Sequence, residues 1–177
     1  MSKYYHHLDL PDLPEKYITE AINSDYKLIT KPRLYWADST FNKTNFFKLL
    51  DLRFGGCYVK YYFTPPNALY NWHIDLNRHC AINWVVKNNA EARTLFREPI
   101  EEASGGMENP IFFHLDELKY RGHKPTLLNG TYSHCVTNNF PDSRIILSMS
   151  LFKPTKYEDV LTFLQESRDI KAILEEY

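Results

Sequence analysis

The sequence predicts a mainly β protein whose core is an antiparallel barrel or a double-sheet jelly roll, with helices at both ends. Runs rich in β-branched and aromatic residues fill the middle of the chain. Turn-forming residues separate these runs about every 8–14 residues, a spacing typical of antiparallel barrels and jelly rolls. Patterns typical of helices occur only near the two ends of the chain.

The N-terminal region predicts two helices. Residues 12–24 form the first, with Asp12 as a candidate N-cap, and residues 40–52 form the second. We therefore expect residues 1–56 to be a helical support for the β core.

Six runs in the centre of the chain predict seven strands. They are residues 57–63, 79–87, 92–98, 109–115, 125–138 and 143–152. The run 125–138 contains two short strands around the turn residues Asn129 and Gly130. Strict alternation in 79–87 places Cys80, Ile82, Trp84 and Val86 on one face of a strand.

The C-terminal residues 153–177 predict a helix that packs on the β core. Thr155 and Glu158 have the spacing of a capping box, directly before a group of apolar residues. Together with the core at residues 57–152, this arrangement predicts a single domain over residues 1–177.

The composition is that of a globular protein without a strong electrostatic preference. Lys plus Arg total 21 and Asp plus Glu total 22, so nucleic acid is not an expected partner. No signal peptide and no apolar run of membrane-spanning length is visible, which predicts a cytoplasmic protein without a membrane partner. The three cysteines lack metal-site spacing, so we expect reduced thiols.

Three side chains form a candidate metal site. His73 and Asp75 are two residues apart, and on a strand this spacing places both on one face. His134, on the penultimate strand, is the candidate third ligand. Two histidines and one carboxylate form the facial triad that non-haem iron(II) oxygenases use.

Arg144 follows His134 after ten residues, on the last predicted strand. An arginine buried in an apolar barrel needs an anionic partner, and no acidic residue on the predicted strands is an obvious one. A dicarboxylate co-substrate that binds the metal at one end and Arg144 at the other would supply it. Ser148 lies on the same face of that strand and adds a candidate hydroxyl.

These residues carry a resemblance to a known family. The H-x-D at 73–75, the distal His134 and Arg144 resemble the iron(II)/2-oxoglutarate-dependent oxygenases. The string H-x-V-x-N at 134–138 is similar to the aspartyl/asparaginyl β-hydroxylase-like branch and to small phage-borne members. The resemblance covers about residues 57–152.

The resemblance implies a double-stranded β-helix, the cupin-like form of the jelly roll, with Fe(II) bound by His73, Asp75 and His134. It also implies that 2-oxoglutarate and O₂ are consumed, that succinate and CO₂ are released, and that a C–H bond is hydroxylated. Arg144 and Ser148 would bind 2-oxoglutarate. The family often adds a tyrosine from the first core strand, for which the candidates are Tyr58, Tyr61 and Tyr62.

Other residues carry two interpretations each. Asn138 is interpreted either as a residue that hydrogen-bonds within the site or as a strand-end amide that closes a turn. Arg78 is interpreted either as a substrate contact or as a solvated cation in a loop. Tyr132 is a candidate wall residue on the face of His134. The remaining histidines have no partner at metal-ligand spacing; they are His6, His7, His79, His114 and His123.

The leading hypothesis is that the protein hydroxylates a protein or peptide side chain in the cytoplasm. Its resemblance to phage-borne members makes a viral origin part of this expectation. One alternative keeps the chemistry but acts on a nucleobase or a small metabolite. Another is a cupin-like metal-binding protein without a co-oxidant, and the least favoured is a catalytically silent interaction module.

Overall fold

The computed structural model describes residues 2–30, 34–75, 78–87, 92–99, 112–152 and 155–167, together with Ile170 and Ile173. The strands within these ranges are β1 (Tyr5–His7), β2 (Lys27–Thr30), β3 (Leu34–Asp38), β4 (Cys57–Thr64), β5 (Ala68–His73), β6 (Arg78–Lys87), β7 (Ala92–Pro99), β8 (Phe112–Leu118), β9 (Thr126–Asn129), β10 (Ser133–Asn138) and β11 (Arg144–Phe152). The helices are α1 (Glu15–Ile22), α2 (Asn45–Phe54) and α3 (Tyr157–Glu166), with a short 3-10 helix at Thr40–Lys43.

The strands form two antiparallel sheets. The larger sheet has the order β1-β9-β6-β11-β4-β3-β2, and the smaller has the order β5-β10-β7-β8. Neighbours such as β6 and β11 are far apart in the chain, so the connections cross between sheets, as in a jelly roll. The prediction of a mainly β jelly roll is confirmed.

The helices cover one face of the larger sheet. Alternate residues of β11, among them Leu147, Met149 and Leu151, join a hydrophobic core that also contains Leu50 of α2 and Val160 of α3. Each of these side chains is completely buried, and burying one such side chain stabilises a fold by about 1.5–3 kcal/mol. The C-terminal helix thus packs on the core as predicted.

The other face of the larger sheet lies against the smaller sheet. A second cluster of buried side chains, which includes Val85, Phe96 and Leu128, fills part of the space between them. The rest is a cavity of about 360 Å³ lined by both sheets. The alternation along β11 and β6 therefore separates a helix-covered apolar face from a face that lines the cavity.

The N-terminal region contains strands as well as helices. β1 extends one edge of the larger sheet, whereas β2 and β3 extend the other edge through β4. Neither these strands nor β5 was predicted, because they are short and show little alternation. The predicted strand 109–115 is found at Phe112–Leu118, and residues 109–111 lie outside the described residues.

The predicted helix ends were wrong in three places. Helix α1 begins after Pro14 without a side-chain cap, so Asp12 does not cap it. The predicted helix 40–52 is two pieces, because Thr44 accepts a hydrogen bond from the Phe47 amide and starts a new helix there. Helix α3 begins after Lys156 without a side-chain cap, so the Thr155 capping box does not form. Local spacing alone does not fix the turn in which a helix starts.

No helix within the described ranges is both long enough and apolar enough to span a membrane.

Candidate metal and co-substrate site

His73, Asp75 and His134 come together at one side of the cavity. One ligand atom from each lies within 4.8 Å of the other two. His73 Nε2 is 3.8 Å from Asp75 Oδ1, and His134 Nε2 is 3.8 Å from Asp75 Oδ2. Among the side chains that the structure describes, these three form the one cluster of this kind.

The register between β5 and β10 places the two histidines side by side. His134 pairs with His73, and their ring centroids are 4.3 Å apart. An irregularity in the pairing follows at once, so that Tyr70 rather than Asn71 is opposite Val136. Both Tyr70 and His73 therefore line the cavity although they are three residues apart, an effect typical of a β-bulge beside a site.

Both imidazoles are oriented by backbone carbonyl groups. His73 Nδ1 is 2.7 Å from the Asn71 carbonyl oxygen, and His134 Nδ1 is 2.9 Å from the Tyr132 carbonyl oxygen. A carbonyl oxygen only accepts, so each Nδ1 carries the hydrogen and each Nε2 keeps its lone pair. Burial lowers the pKa of His134 below its ordinary value, which favours the neutral ring that a metal ion requires.

The carboxylate of Asp75 is positioned by a loop, not by strand alternation as predicted. Strand β5 ends at His73, and the Asp75 amide then donates to the Gly130 carbonyl oxygen at 3.1 Å. A Cβ atom at Gly130 would lie 2.8 Å from Asp75 Oδ2 and 3.0 Å from the Arg78 carbonyl oxygen. Only glycine fits between these groups without displacing the carboxylate.

Arg78 is part of the cavity wall. It begins β6, and its Nε donates to Asp75 Oδ2 at 2.7 Å while its Nη1 donates to Ser150 Oγ at 3.0 Å. Burial lowers the pKa of Arg78, but the Asp75 carboxylate together with the Tyr62 and Tyr58 hydroxyl groups raises it above its ordinary value, so the guanidinium stays charged. The interpretation of Arg78 as a solvated loop cation was wrong.

Arg144 lies in the same cavity and is almost completely buried, with 2% of its surface exposed. Its Nη2 donates a long hydrogen bond of 3.4 Å to Thr94 Oγ1, and its guanidinium carbon is 5.2 Å from the centre of the Tyr120 ring. The Nε atom has no hydrogen-bond partner, and Arg144 forms no ion pair with any described acidic residue. A buried cation in this state favours an anionic ligand.

Ser148 and Asn83 are two further buried residues with polar atoms that lack a hydrogen-bond partner among the described residues. The Ser148 hydroxyl and Asn83 Oδ1 are both buried without a hydrogen bond to any described group. Ser148 pairs with Asn83 between β11 and β6, and the Asn83 amide donates to the Tyr120 hydroxyl at 3.4 Å. Asn83 lines the cavity, whereas Ser148 lies on the same strand face without being among the described lining residues.

The three candidate tyrosines of β4 divide between the two faces of the sheet. Tyr58 and Tyr62 line the cavity. Tyr61 points to the helix-covered core, where its hydroxyl donates to the Tyr17 carbonyl oxygen at 2.9 Å and approaches the Glu20 carboxylate. Strand alternation therefore removes Tyr61 from the candidates and leaves Tyr58 and Tyr62.

Two of the ambiguous residues have structural roles. The Asn138 amide nitrogen lies within 2.8–3.2 Å of the carbonyl oxygens of Thr64, Pro65 and Asp142, so it joins two loops. The Tyr132 side chain packs against Tyr4 in the second hydrophobic cluster and is not among the described lining residues. Tyr132 contributes to the site through its carbonyl oxygen alone.

The other histidines take no part in the cluster. His123 Nδ1 bonds to the Val85 carbonyl oxygen, His7 bonds to Thr126, and His6 contacts Gln165. His79 contributes its carbonyl oxygen, which accepts from the Gly130 amide. The side chain of His114 lies outside the described residues.

Several residues that line the cavity were not assigned a function from the sequence; among them are Tyr70, Asn83, Thr94 and Tyr120. Asn83 alone offered a hint, as a polar residue within an otherwise apolar strand that is buried in the structure. The other three reach the cavity through strand pairings that the sequence does not specify.

No protein-family model matches this sequence, and no curated protein sequence matches it. Many solved structures share its fold, and three of them are the following. A prolyl-4-hydroxylase from Pseudomonas putida aligns with TM-score 0.54 and 10% identity over 86% of this chain and 95% of that one. The epimerase SnoN from nogalamycin biosynthesis, described as non-heme and α-ketoglutarate-dependent, aligns with TM-score 0.52 and 10% identity over 85% and 79%. An oxidoreductase of the 2OG-Fe(II) oxygenase family from Burkholderia pseudomallei aligns with TM-score 0.51 and 9% identity over 78% and 77%.

The chain has a cupin-like jelly-roll fold. At these identities the likeness shows the fold alone, and the chemistry of the site depends on the residues that line the cavity. The cavity contains a His-Asp-His cluster with both Nε2 lone pairs available and a buried arginine that has no acidic partner in the described part of the chain. This donor set suits a divalent first-row metal ion, and the arginine suits a carboxylate.

Proposed function

We propose that this protein is an Fe(II)- and 2-oxoglutarate-dependent dioxygenase that hydroxylates a C–H bond. The observation that carries the proposal is the pairing of two features in one cavity. The His-Asp-His cluster lies in the same cavity as Arg144, which is buried and has no anionic partner among the described residues. A metal site alone would not require the arginine, and an anion site alone would not require the cluster.

His73, Asp75 and His134 would hold the iron, which together with 2-oxoglutarate and O₂ supplies the oxidising chemistry when bound. The chain's own contribution is orientation. The Asn71 and Tyr132 carbonyl groups accept from the two Nδ1 atoms, so both imidazoles would offer Nε2 to the metal.

Arg144 would bind the distal carboxylate of 2-oxoglutarate. Its hydrogen bond to Thr94 places it beside Val136, which is two residues along β10 from His134. The arginine and the cluster thus lie at different levels of one cavity, as a dicarboxylate spanning them requires. The unpartnered Ser148 hydroxyl and one of Tyr58 or Tyr62 are candidates for further hydrogen bonds to it.

The primary substrate is proposed to be a protein or peptide side chain. Support comes from the sequence resemblance to the aspartyl/asparaginyl β-hydroxylase-like branch and from the shared fold with a prolyl-4-hydroxylase. The fold shared with SnoN favours a small metabolite as the second candidate. Mass spectrometry after incubation with peptide and metabolite mixtures would separate the two, because the true substrate gains one oxygen atom only when 2-oxoglutarate is present.

Anaerobic titration tests the central proposal. Fe(II) followed by 2-oxoglutarate is expected to give a weak visible charge-transfer band, which His73→Ala abolishes. His6→Ala is the matched control, because His6 contacts Gln165 at the surface and should leave the band unchanged. In air, the wild-type protein should form succinate. Absence of both the band and succinate would refute the proposal.

A further inference from the structure

Arg78 forms a short, charged contact to Asp75, one of the proposed metal ligands. Its Nε lies 2.7 Å from Asp75 Oδ2, and its other end is fixed by the Ser150 hydroxyl at 3.0 Å. The Asp75 and Arg78 side chains are 14% and 23% exposed, so solvent screens this ion pair only in part. Charge-assisted bonds of this length are about twice as strong as neutral ones.

The two oxygens of Asp75 are therefore in different surroundings. Oδ2 accepts the Arg78 hydrogen bond, lies against the backbone at Gly130 and is 3.8 Å from His134 Nε2. The structure gives Oδ1 no hydrogen-bond donor among the described residues, and its nearest described partner is His73 Nε2 at 3.8 Å. Oδ1 is the oxygen with both lone pairs free.

The number of Asp75 oxygens that bind decides how many metal positions stay open. An octahedral ion held by two histidines and one carboxylate oxygen has three open positions. A carboxylate that binds through both oxygens leaves two, which chelating 2-oxoglutarate would fill completely. O₂ would then have no position.

We propose that Arg78 is a positioning residue that holds Asp75 Oδ2 away from the metal, so that Asp75 binds through Oδ1 alone and one position stays open beside 2-oxoglutarate. Ser150 assists by fixing the guanidinium to β11. This inference rests on the proposed function, because it assumes that metal and 2-oxoglutarate occupy the cavity.

Water-proton relaxation with Mn(II) in place of iron measures the open position directly, since relaxivity reports exchangeable water on the metal. In the wild-type protein, 2-oxoglutarate should lower the relaxivity of bound Mn(II) but leave a residual contribution from one water. In Arg78→Gln that residual contribution should be lost, whereas Arg78→Lys should restore part of it. Arg93→Gln is the matched control, because Arg93 is 51% exposed and pairs with Glu117 on the outside of the smaller sheet.

The outcomes separate the two proposals. The proposed function is overturned, and this inference with it, if the wild-type protein binds no Mn(II). The same holds if 2-oxoglutarate does not change the relaxivity of the bound Mn(II). Equal residual relaxivity in wild type and Arg78→Gln overturns the role of Arg78 alone, as does a wild-type complex without any residual water. If Arg78→Gln does not fold, Ser150→Ala replaces it, and an unchanged residual relaxivity in that variant overturns the inference.

Discussion

Replacing Arg144 with Met is expected to stabilise the ligand-free protein and to remove its affinity for 2-oxoglutarate. Arg144 is 2% exposed, lacks an acidic partner among the described residues and has an unbonded Nε, so the desolvation of its charge is only partly compensated by Thr94 and the Tyr120 ring. Met fills a similar volume without a charge. Most substitutions of a buried side chain destabilise a protein, so an increase in stability is a distinctive result.

The contacts of Arg144 give the magnitude. Replacing buried ionic groups by well-packed apolar side chains of similar volume often stabilises a protein, by up to about 1–4 kcal/mol. The contact with the Tyr120 ring at 5.2 Å opposes this by about 0.5–2 kcal/mol. The hydrogen bond to Thr94, at 3.4 Å, is too long to add much. The net gain is on the order of 1 kcal/mol, or roughly 2–4 °C in Tm for a chain of this size.

The loss of 2-oxoglutarate binding should be larger. Two charge-assisted hydrogen bonds contribute about 1.5–3 kcal/mol each, so the affinity should fall by roughly 10²–10⁴-fold. Thermal unfolding with Mn(II) and 2-oxoglutarate measures both effects. At a 2-oxoglutarate concentration near 100 Kd, the wild-type protein gains about 2.7 kcal/mol that the variant lacks. Mn(II) affinity without 2-oxoglutarate should be nearly equal in both.

Arg93→Met is the control for this experiment. Arg93 lies on β7 of the smaller sheet but is half exposed, so its loss should change neither the ligand-free stability nor the response to 2-oxoglutarate. An Arg144→Met variant that is several kcal/mol less stable and still responds to 2-oxoglutarate would refute the reasoning. Arg144 would then be a structural residue with a partner inside the protein.

Three further predictions concern Gly130, Asn138 and the three cysteines. Gly130→Ala should lower stability by about 1–3 kcal/mol and weaken Mn(II) binding at least about tenfold, because its Cβ would lie 2.8 Å from Asp75 Oδ2. Gly122→Ala, with open space but φ of 55°, should lose only about 1 kcal/mol and bind Mn(II) normally in the same titration. Asn138→Ala should cost about 2 kcal/mol in denaturant unfolding without changing Mn(II) affinity, whereas the exposed Asn139→Ala should change neither. Burial raises the pKa of all three cysteine thiols, so labelling with a thiol reagent near pH 8 should be slow until the protein is unfolded; fast native labelling would contradict this.

Sequence patterns predicted the long strands well and the site in part. Alternation in β6 separated Cys80, Ile82, Trp84 and Val86 from the opposite face, and the structure places these four in the helix-covered core. Strands β9 and β10 were found on either side of the predicted turn. The short edge strands and the helix starts were missed, because these depend on pairing and capping partners that lie elsewhere in the chain.

The sequence by itself determined which side chains face inward from each long strand and which residue types are available there. This is because alternation and residue chemistry are local properties. Only the tertiary structure decided that His73 lies beside His134, that a loop through Gly130 positions Asp75, and that Arg78 pairs with that carboxylate. These depend on strand register, on an irregularity in β5 and on a loop contact. Such features are set by the packing of distant segments, which a local pattern does not encode.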